Sequence, residues 1–216
     1  MTADAHGSPT EGRKGPAPGS RGPKAGLKKT VAIGPPAFPL CRRFGGHTAI
    51  IQPLQPSDRD TLLSFFESHT QETIHLRYGY EVKQISGARA AELVGVDQSK
   101  DAALGVFEPA EDVPLVAIGR YCLTPDGRAA EVAFVVREDR RRHGMATALL
   151  EALLRIAGSR GLATLEAQVL RENQPMLEIF GRLGGVRAAI PGTDSVTVTI
   201  DVSRALRRLG KWHGGP

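Results

Sequence analysis

Cysteine is nearly absent from this 216-residue chain: Cys41 and Cys122 are the only two, too few for a disulfide framework or, by themselves, for a zinc site. A reducing compartment suits such a chain, and no metal is expected. Long apolar runs are missing too. The longest, Leu115 to Ile118 and Val132 to Val136, fall far short of the roughly 18 residues needed to cross a bilayer, so no membrane partner is expected. The N-terminal stretch has no apolar core of about 7–15 residues such as a secretory leader needs, and too little serine for an organelle transit peptide. The expected location is the cytoplasm.

What charge there is lies unevenly. The net charge is +5, yet residues 1–46 hold eight Lys or Arg against Asp4 and Glu11, while the other 170 residues hold 20 basic and 21 acidic groups. The same 46 residues contain 9 of the 25 glycines and 7 of the 15 prolines. Such a segment buries too little apolar surface to offset its chain entropy. The expected organisation is therefore a disordered basic tail over 1–46, one domain over 47–202, and a basic C-terminal tail over 203–216. A basic arm could neutralise phosphates, but Phe38 and Phe44 are its only aromatics and the body is near neutral, so nucleic acid is not an expected partner. The segment from Arg204 to Trp212 reads either as a short basic helix meeting a partner or as a frayed end.

Periodicity places the elements. A short strand is expected at 47–52, then a helix capped by Ser57 and carrying Leu62, Leu63, Phe65 and Phe66. Helical pieces follow near 71–77 and 88–94, strands at 103–107 and 115–123, a tight turn at Thr124-Pro125-Asp126-Gly127, and an antiparallel return at 129–137. From Gly144 onward Ala146, Leu149, Leu150, Leu153, Leu154 and Ala157 recur at helical spacing. A strand at 163–170, a helix opening at Asn173 with Pro175 in its first turn, and two strands near 186–190 and 195–202 complete the pattern.

Between a strand and that long helix stands Arg140-Arg141-Arg142-His143-Gly144-Met145-Ala146. A helix N-terminus offers unpaired N–H groups and about half a positive charge, and small residues let an anion approach the backbone. On spacing alone a phosphate cradle and a solvated arginine loop are equally good readings.

The motif Arg141-x-x-Gly144-x-Ala146, after a strand and opening an amphipathic helix, resembles the acetyl-CoA pyrophosphate loop of the GCN5-related N-acetyltransferase (GNAT) family. The downstream run Asn173-x-x-Met176-x-x-x-Phe180-x-x-Leu183-Gly184 is similar to that family's helix beside the CoA thiol. The segments around Leu54 to Asp58, Glu72 to Tyr78 and Ala130 to Ala133 look most like the acetyltransferase domain of bacterial protein-lysine acetyltransferases that act on acyl-CoA synthetases. The resemblance implies an α/β (α+β) fold: a mixed, mostly antiparallel sheet with splayed middle strands, flanked by helices. It also implies acetyl-CoA as cosubstrate, with pantetheine along the backbone of Phe134, Val135 and Val136. The pyrophosphate would rest on the amides of Arg141, Arg142, His143, Gly144, Met145, Ala146 and Thr147, with Asn173 nearby. The implied acceptor is an amine, foremost a lysine of a protein such as an acyl-CoA synthetase; a small amine as acceptor, or a silent CoA-binding sensor, are the rivals.

Glu131 alternates with Ala130 and Val132. By alternation alone it is an ordinary surface carboxylate; the resemblance makes it the general base. Phe180 stands where many of the family carry a tyrosine that protonates the leaving thiolate, a role a phenyl ring cannot fill. His143 is expected in a solvent-exposed loop, contributing its backbone, and Cys122 is expected in the core.

Overall fold

Alternating side chains along the strands and a 3.6-residue apolar repeat in the helices sort the chain into one sheet with helices on both faces. The computed structural model describes residues 37–70, 72, 73, 85–112 and 114–212. Most of the helix expected near 71–77 therefore lies outside the described residues. Eight strands are described: β1 (Leu40–Phe44), β2 (His47–Pro53), β3 (Ala102–Phe107), β4 (Leu115–Leu123), β5 (Ala129–Val136), β6 (Thr164–Leu170), β7 (Val186–Ala189) and β8 (Ser195–Asp201). They form a sheet ordered β1-β2-β3-β4-β5-β6-β8-β7. Each neighbouring pair is antiparallel except β5 and β6, which run parallel. The helices are α1 (Arg59–Glu67), α2 (Gly87–Val94), α3 (Met145–Ser159), α4 (Gln174–Arg182) and α5 (Val202–Trp212).

β3 shows the layering best, because all six of its residues are buried. Ala103 and Phe107 face α1 and α2 and pack with Leu62, Phe65, Ala90 and Val94; Leu104 and Val106 face the opposite layer, built around α3. In α3, Leu149, Leu150, Leu153, Leu154, Ile156 and Ala157 are all fully buried. So wide an apolar face is needed because the helix meets the sheet on one side and α5 on another.

Three expectations change at the ends and caps. The stretch Leu40–Phe44, placed by composition in the tail, is a strand. It pairs with β2 through Gly45 and Gly46, both at positive φ (55° and 92°), and Phe38 and Phe44 are buried. Averaging over a Gly/Pro-rich window hid a hairpin whose turn is the Gly-Gly pair itself. The basic C-terminal segment is a docked helix: Val202, Ala205 and Leu209 are buried at i, i+3 and i+7, leaving Arg204, Arg207 and Arg208 in solvent. Leu209→Ala is accordingly expected to cost about 2–3 kcal/mol in urea unfolding, whereas a frayed end would give no change. Lastly, α1 is not capped by Ser57. A 3₁₀ turn over Pro56–Asp58 precedes it, held where the Gln55 N–H donates to Asp58 Oδ2 at 2.8 Å.

Candidate active site

The parallel pair β5/β6 makes the site. Only Ala129, Ala130 and Glu131 pair with β6, opposite Thr164, Leu165 and Glu166. Beyond Glu131 the strands part, so among the described residues the backbone of Val132–Val136 is paired with β4 on one side and with no strand on the other. This is the expected splay. Ala130, Val132 and Phe134 are buried towards α3, and Glu131, Ala133 and Val135 face α1 and α2. Phe134 and Val135 are each 8% exposed, which leaves their backbone, not their side chains, to meet a ligand.

On the α1/α2 side lies a cleft of about 270 Å³. Leu62, Phe66, Leu93 and Ile118 make its apolar wall; Arg89, which pairs with Glu92 at 2.7 Å, Arg120, Cys122 and Glu131 supply polar atoms. Register explains the grouping, since Cys122 lies opposite Glu131 and Arg120 opposite Ala133. Glu131 is exposed and has no ion-pair partner among the described residues. Cys122, expected in the core, is half-buried on this wall and its sulfur accepts from Arg120 Nη2 at 2.7 Å. A strand in this position has one face in the cleft and one in the core, and Cys122 shares the cleft face with Glu131.

The loop from β5 to α3 begins with a 3₁₀ turn over Glu138–Arg140. Arg142 then takes a left-handed φ of 65° and Gly144 one of 87°. Gly144 is the N-cap of α3, no side chain caps the helix, and the Ala148 N–H is bonded to the Gly144 carbonyl at 3.0 Å. The amides of Met145, Ala146 and Thr147 thus lead an uncapped helix N-terminus. A Cβ built on Gly144 would meet nothing within 4 Å among the described residues. Met145 is buried and offers its N–H alone. The His143 side chain is exposed, as expected, but its ring rests over Gly45, where a Cβ would come within 2.3 Å of it. An uncapped, glycine-opened helix start is chemically suited to a pyrophosphate.

Two charged clusters hold this loop, and neither was expected. Arg140 reaches Glu108 at 3.0 Å, Glu111 at 2.8 Å and Asp139 at 2.7 Å, while Arg137 reaches Glu111 at 3.0 Å and Asp139 at 2.7 Å. Hydrogen bonds from Arg137 hold the Glu111 and Asp139 carboxyls below the usual range. His47, Glu108 and Glu111 bring donor atoms within 4.8 Å of one another, but Arg140 and Arg137 already engage both carboxylates. On the other flank Glu138 accepts from the Thr70 N–H at 2.9 Å, the Thr70 hydroxyl at 2.7 Å and the Thr73 hydroxyl, and Arg141 donates to that same Thr73 hydroxyl. These contacts span 65 to 68 residues of sequence, so no local pattern announces them.

Burial pushes the Glu138 carboxyl up, but the donors from Thr73 and Thr70 outweigh it and hold the group at about 2, against an ordinary 4.5. A depressed carboxyl stabilises the fold above its unfolded value, and that contribution disappears as pH falls from about 4.5 towards 2. Glu138→Gln should therefore flatten the acid limb of a stability-versus-pH curve across this window. Equal slopes for the two proteins would mean that the carboxylate is not held as described.

The remaining expected residues divide. Asn173 caps α4, its Oδ1 accepting from the Met176 N–H at 3.4 Å, which leaves its amide nitrogen for other contacts. Phe180 is buried, its ring centroid 6.2 Å from that of Phe134, and supplies no proton donor.

Comparison with known proteins agrees with this architecture. The model of the acetyltransferase (GNAT) family matches residues 65–184, a span running from α1 past α4. Acetyltransferase Pat of Mycolicibacterium smegmatis is 29% identical over 142 residues, covering 65% of this chain and 42% of that protein. Acetyltransferase PA5475 of Pseudomonas aeruginosa is 25% identical over 142 residues, 65% of this chain and 76% of that protein. The chain thus spans less than half the length of the first relative. In fold, it is similar to the GNAT domain of S. lividans PAT, with a TM-score of 0.68 and 24% identity over 76% of this chain and 96% of that one. It also resembles yncA, a putative acetyltransferase from Salmonella typhimurium solved with its cofactor acetyl-CoA, at a TM-score of 0.58 and 11% identity over 71% of this chain and 94% of that one. The chain belongs to the acetyltransferase (GNAT) family.

Proposed function

We propose that this chain transfers the acetyl group of acetyl-CoA to the side-chain amine of a protein lysine, with Glu131 as general base. The observation that carries the reading is the position of Glu131: it is exposed at the last paired rung of β5 and β6, where the strands part and the cleft begins. Pantetheine would lie along the open backbone of Phe134, Val135 and Val136, and the amides from Arg141 to Thr147 would hold the pyrophosphate. The thioester is then delivered beside the carboxylate.

A lysine amine has a reference pKa of roughly 10.4, so about one in a thousand is neutral at physiological pH, a handicap of about 4 kcal/mol. Glu131 takes the ammonium proton, directly or through water. The neutral nitrogen attacks the thioester carbonyl, a C–N bond forms, backbone N–H groups steady the oxyanion, and the C–S bond breaks. As the C–S bond breaks the new amide nitrogen gives up its second proton to solvent, and CoA leaves as thiolate and takes a proton from water, because Phe180 has none to give.

The test is incubation with labelled acetyl-CoA and candidate acceptors, beginning with acyl-CoA synthetases, the acceptors implied by the resemblance. Label on lysine supports the proposal. Label in small amines alone would replace the protein with a small-molecule acceptor. Acetyl-CoA binding with no transfer to any amine would leave a silent sensor.

A further inference from the structure

The buried and half-buried arginines around the loop and core are richly supplied with acceptors. Arg137 and Arg140 share Glu108, Glu111 and Asp139, and Arg160 donates to the Lys100 and Asp101 carbonyls and the Tyr121 hydroxyl. Arg120 differs. It lies half-buried on the cleft wall, and among the described residues its guanidinium meets the Cys122 sulfur and no carboxylate in ion-pair range. A thiol is a weak acceptor for a group with five N–H donors, and a partly desolvated cation is costly until an anion joins it.

Its place says where that anion would come from. Arg120 is opposite Ala133, two residues along the same strand face from the Cys122/Glu131 pair, but its guanidinium reaches back to the sulfur of Cys122, so the cation stands beside the proposed base on the same cleft face. The two are not an ion pair. A direct pair would occupy both groups, whereas two groups side by side and unpaired leave an acceptor able to touch both: its amine at Glu131 and an anionic group at Arg120.

We infer that Arg120 is an acceptor-specificity residue that receives a carboxylate carried by the acceptor close to the reacting amine. The inference rests on the lysine-acetylation reading and narrows it: the preferred lysine has Asp or Glu beside it. A carboxylate suits the site better than a phosphate dianion, which Glu131 would repel in so small a cleft. Guanidinium and carboxylate match as planar, two-pronged partners.

The experiment compares two lysine peptides differing only in Asp or Asn next to the lysine, and reads the ratio of their kcat/KM values. Wild type should favour the Asp peptide by roughly tenfold, less at high salt. Arg120→Gln should bring the ratio near one, Arg120→Lys should keep part of it, and Arg120→Glu should reverse it for an Arg-flanked peptide. Acetyl-CoA binding by calorimetry verifies that each variant is folded. A wild-type ratio near one, or a ratio unchanged in Arg120→Gln, overturns the inference. A second pair, 6-aminohexanoate and hexylamine, separates this from the reading beneath it. If neither peptide is acetylated but the small amines are, the protein-lysine reading fails, and the charge preference stands or falls on the second pair. Should no amine react, calorimetric binding of the two peptides decides it, and equal affinities refute it.

Discussion

Glu131→Gln is expected to lower turnover by about 10²–10⁴-fold at neutral pH, or roughly 3–5 kcal/mol in the barrier. Glutamine keeps the shape of the side chain and its place at the last rung of β5 and β6, but it cannot accept the ammonium proton. The loss should fall on turnover, with acetyl-CoA affinity preserved, because the β5–α3 loop does not contain the substituted residue. The variant should also accelerate steeply with rising pH, as solvent deprotonates the lysine that the enzyme no longer can; wild type should show a flatter profile. A steady-state pH profile with a lysine peptide decides the matter. Wild-type turnover in the variant at pH 7 would make Glu131 an ordinary strand carboxylate and assign the base to ordered water or another group.

Gly144→Glu is expected to weaken acetyl-CoA binding by about two orders of magnitude or more, while the domain stays folded. Three effects act together. The residue sits at φ 87°, where any side chain costs about 1–2 kcal/mol. Its Cβ would meet nothing within 4 Å among the described residues, so the change brings no clash with them while adding bulk at the start of the helix. The new carboxylate, at a helix N-terminus, would compete for the same donors that suit a pyrophosphate. Gly127→Glu is the matched control: that glycine also has positive φ (67°) and open space around its Cβ, but it lies in the turn between β4 and β5. Calorimetry should show lost affinity in the first variant and retained affinity in the second. Retained affinity in both would remove this loop from the acetyl-CoA site.

The sequence is most legible where structure is local. The apolar repeat from Leu149 to Ala157 marks α3, the Thr124–Gly127 turn marks the β4/β5 hairpin, and Asn173 with Pro175 marks the start of α4. The chain ends are harder to read, the N-terminal strand missed and the C-terminal helix one of two readings, because charge and glycine averaged over a window outweigh sparse apolar residues. Phe38 and Phe44 in the first case, and Val202, Ala205 and Leu209 in the second, carried the missing signal at strand and helix spacing. At the site, Glu131, by alternation alone a surface carboxylate, is singled out only by the family resemblance, whereas the glycine-opened helix is legible from a short motif. The partners are not, because Arg120 and Cys122 meet Glu131 only through the β4/β5 register, and Glu138 meets Thr70 and Thr73 from far along the chain. Long-range pairing is set by how the whole sheet closes, which no window of sequence contains.

The wedge between β5 and β6 bears on how this protein avoids aggregation. An unpaired strand edge normally invites a strand from another molecule. At its outer borders the sheet presents little for such a visitor: β7 has four residues, including the exposed Arg187, and β1 has five, with Arg42 and Arg43 in solvent. The inner opening needs no such guard. It is shut at one end by the three rungs from Ala129 to Glu131, and a foreign strand would have to wedge into a narrowing slot and meet an edge on each side. A thin, flexible thread with amides along its length fits that slot; a second sheet does not. The fold can therefore leave backbone hydrogen-bonding groups of Val132–Val136 without a strand partner among the described residues, in the middle of its largest element, where the slot is too narrow to act as a template for self-association.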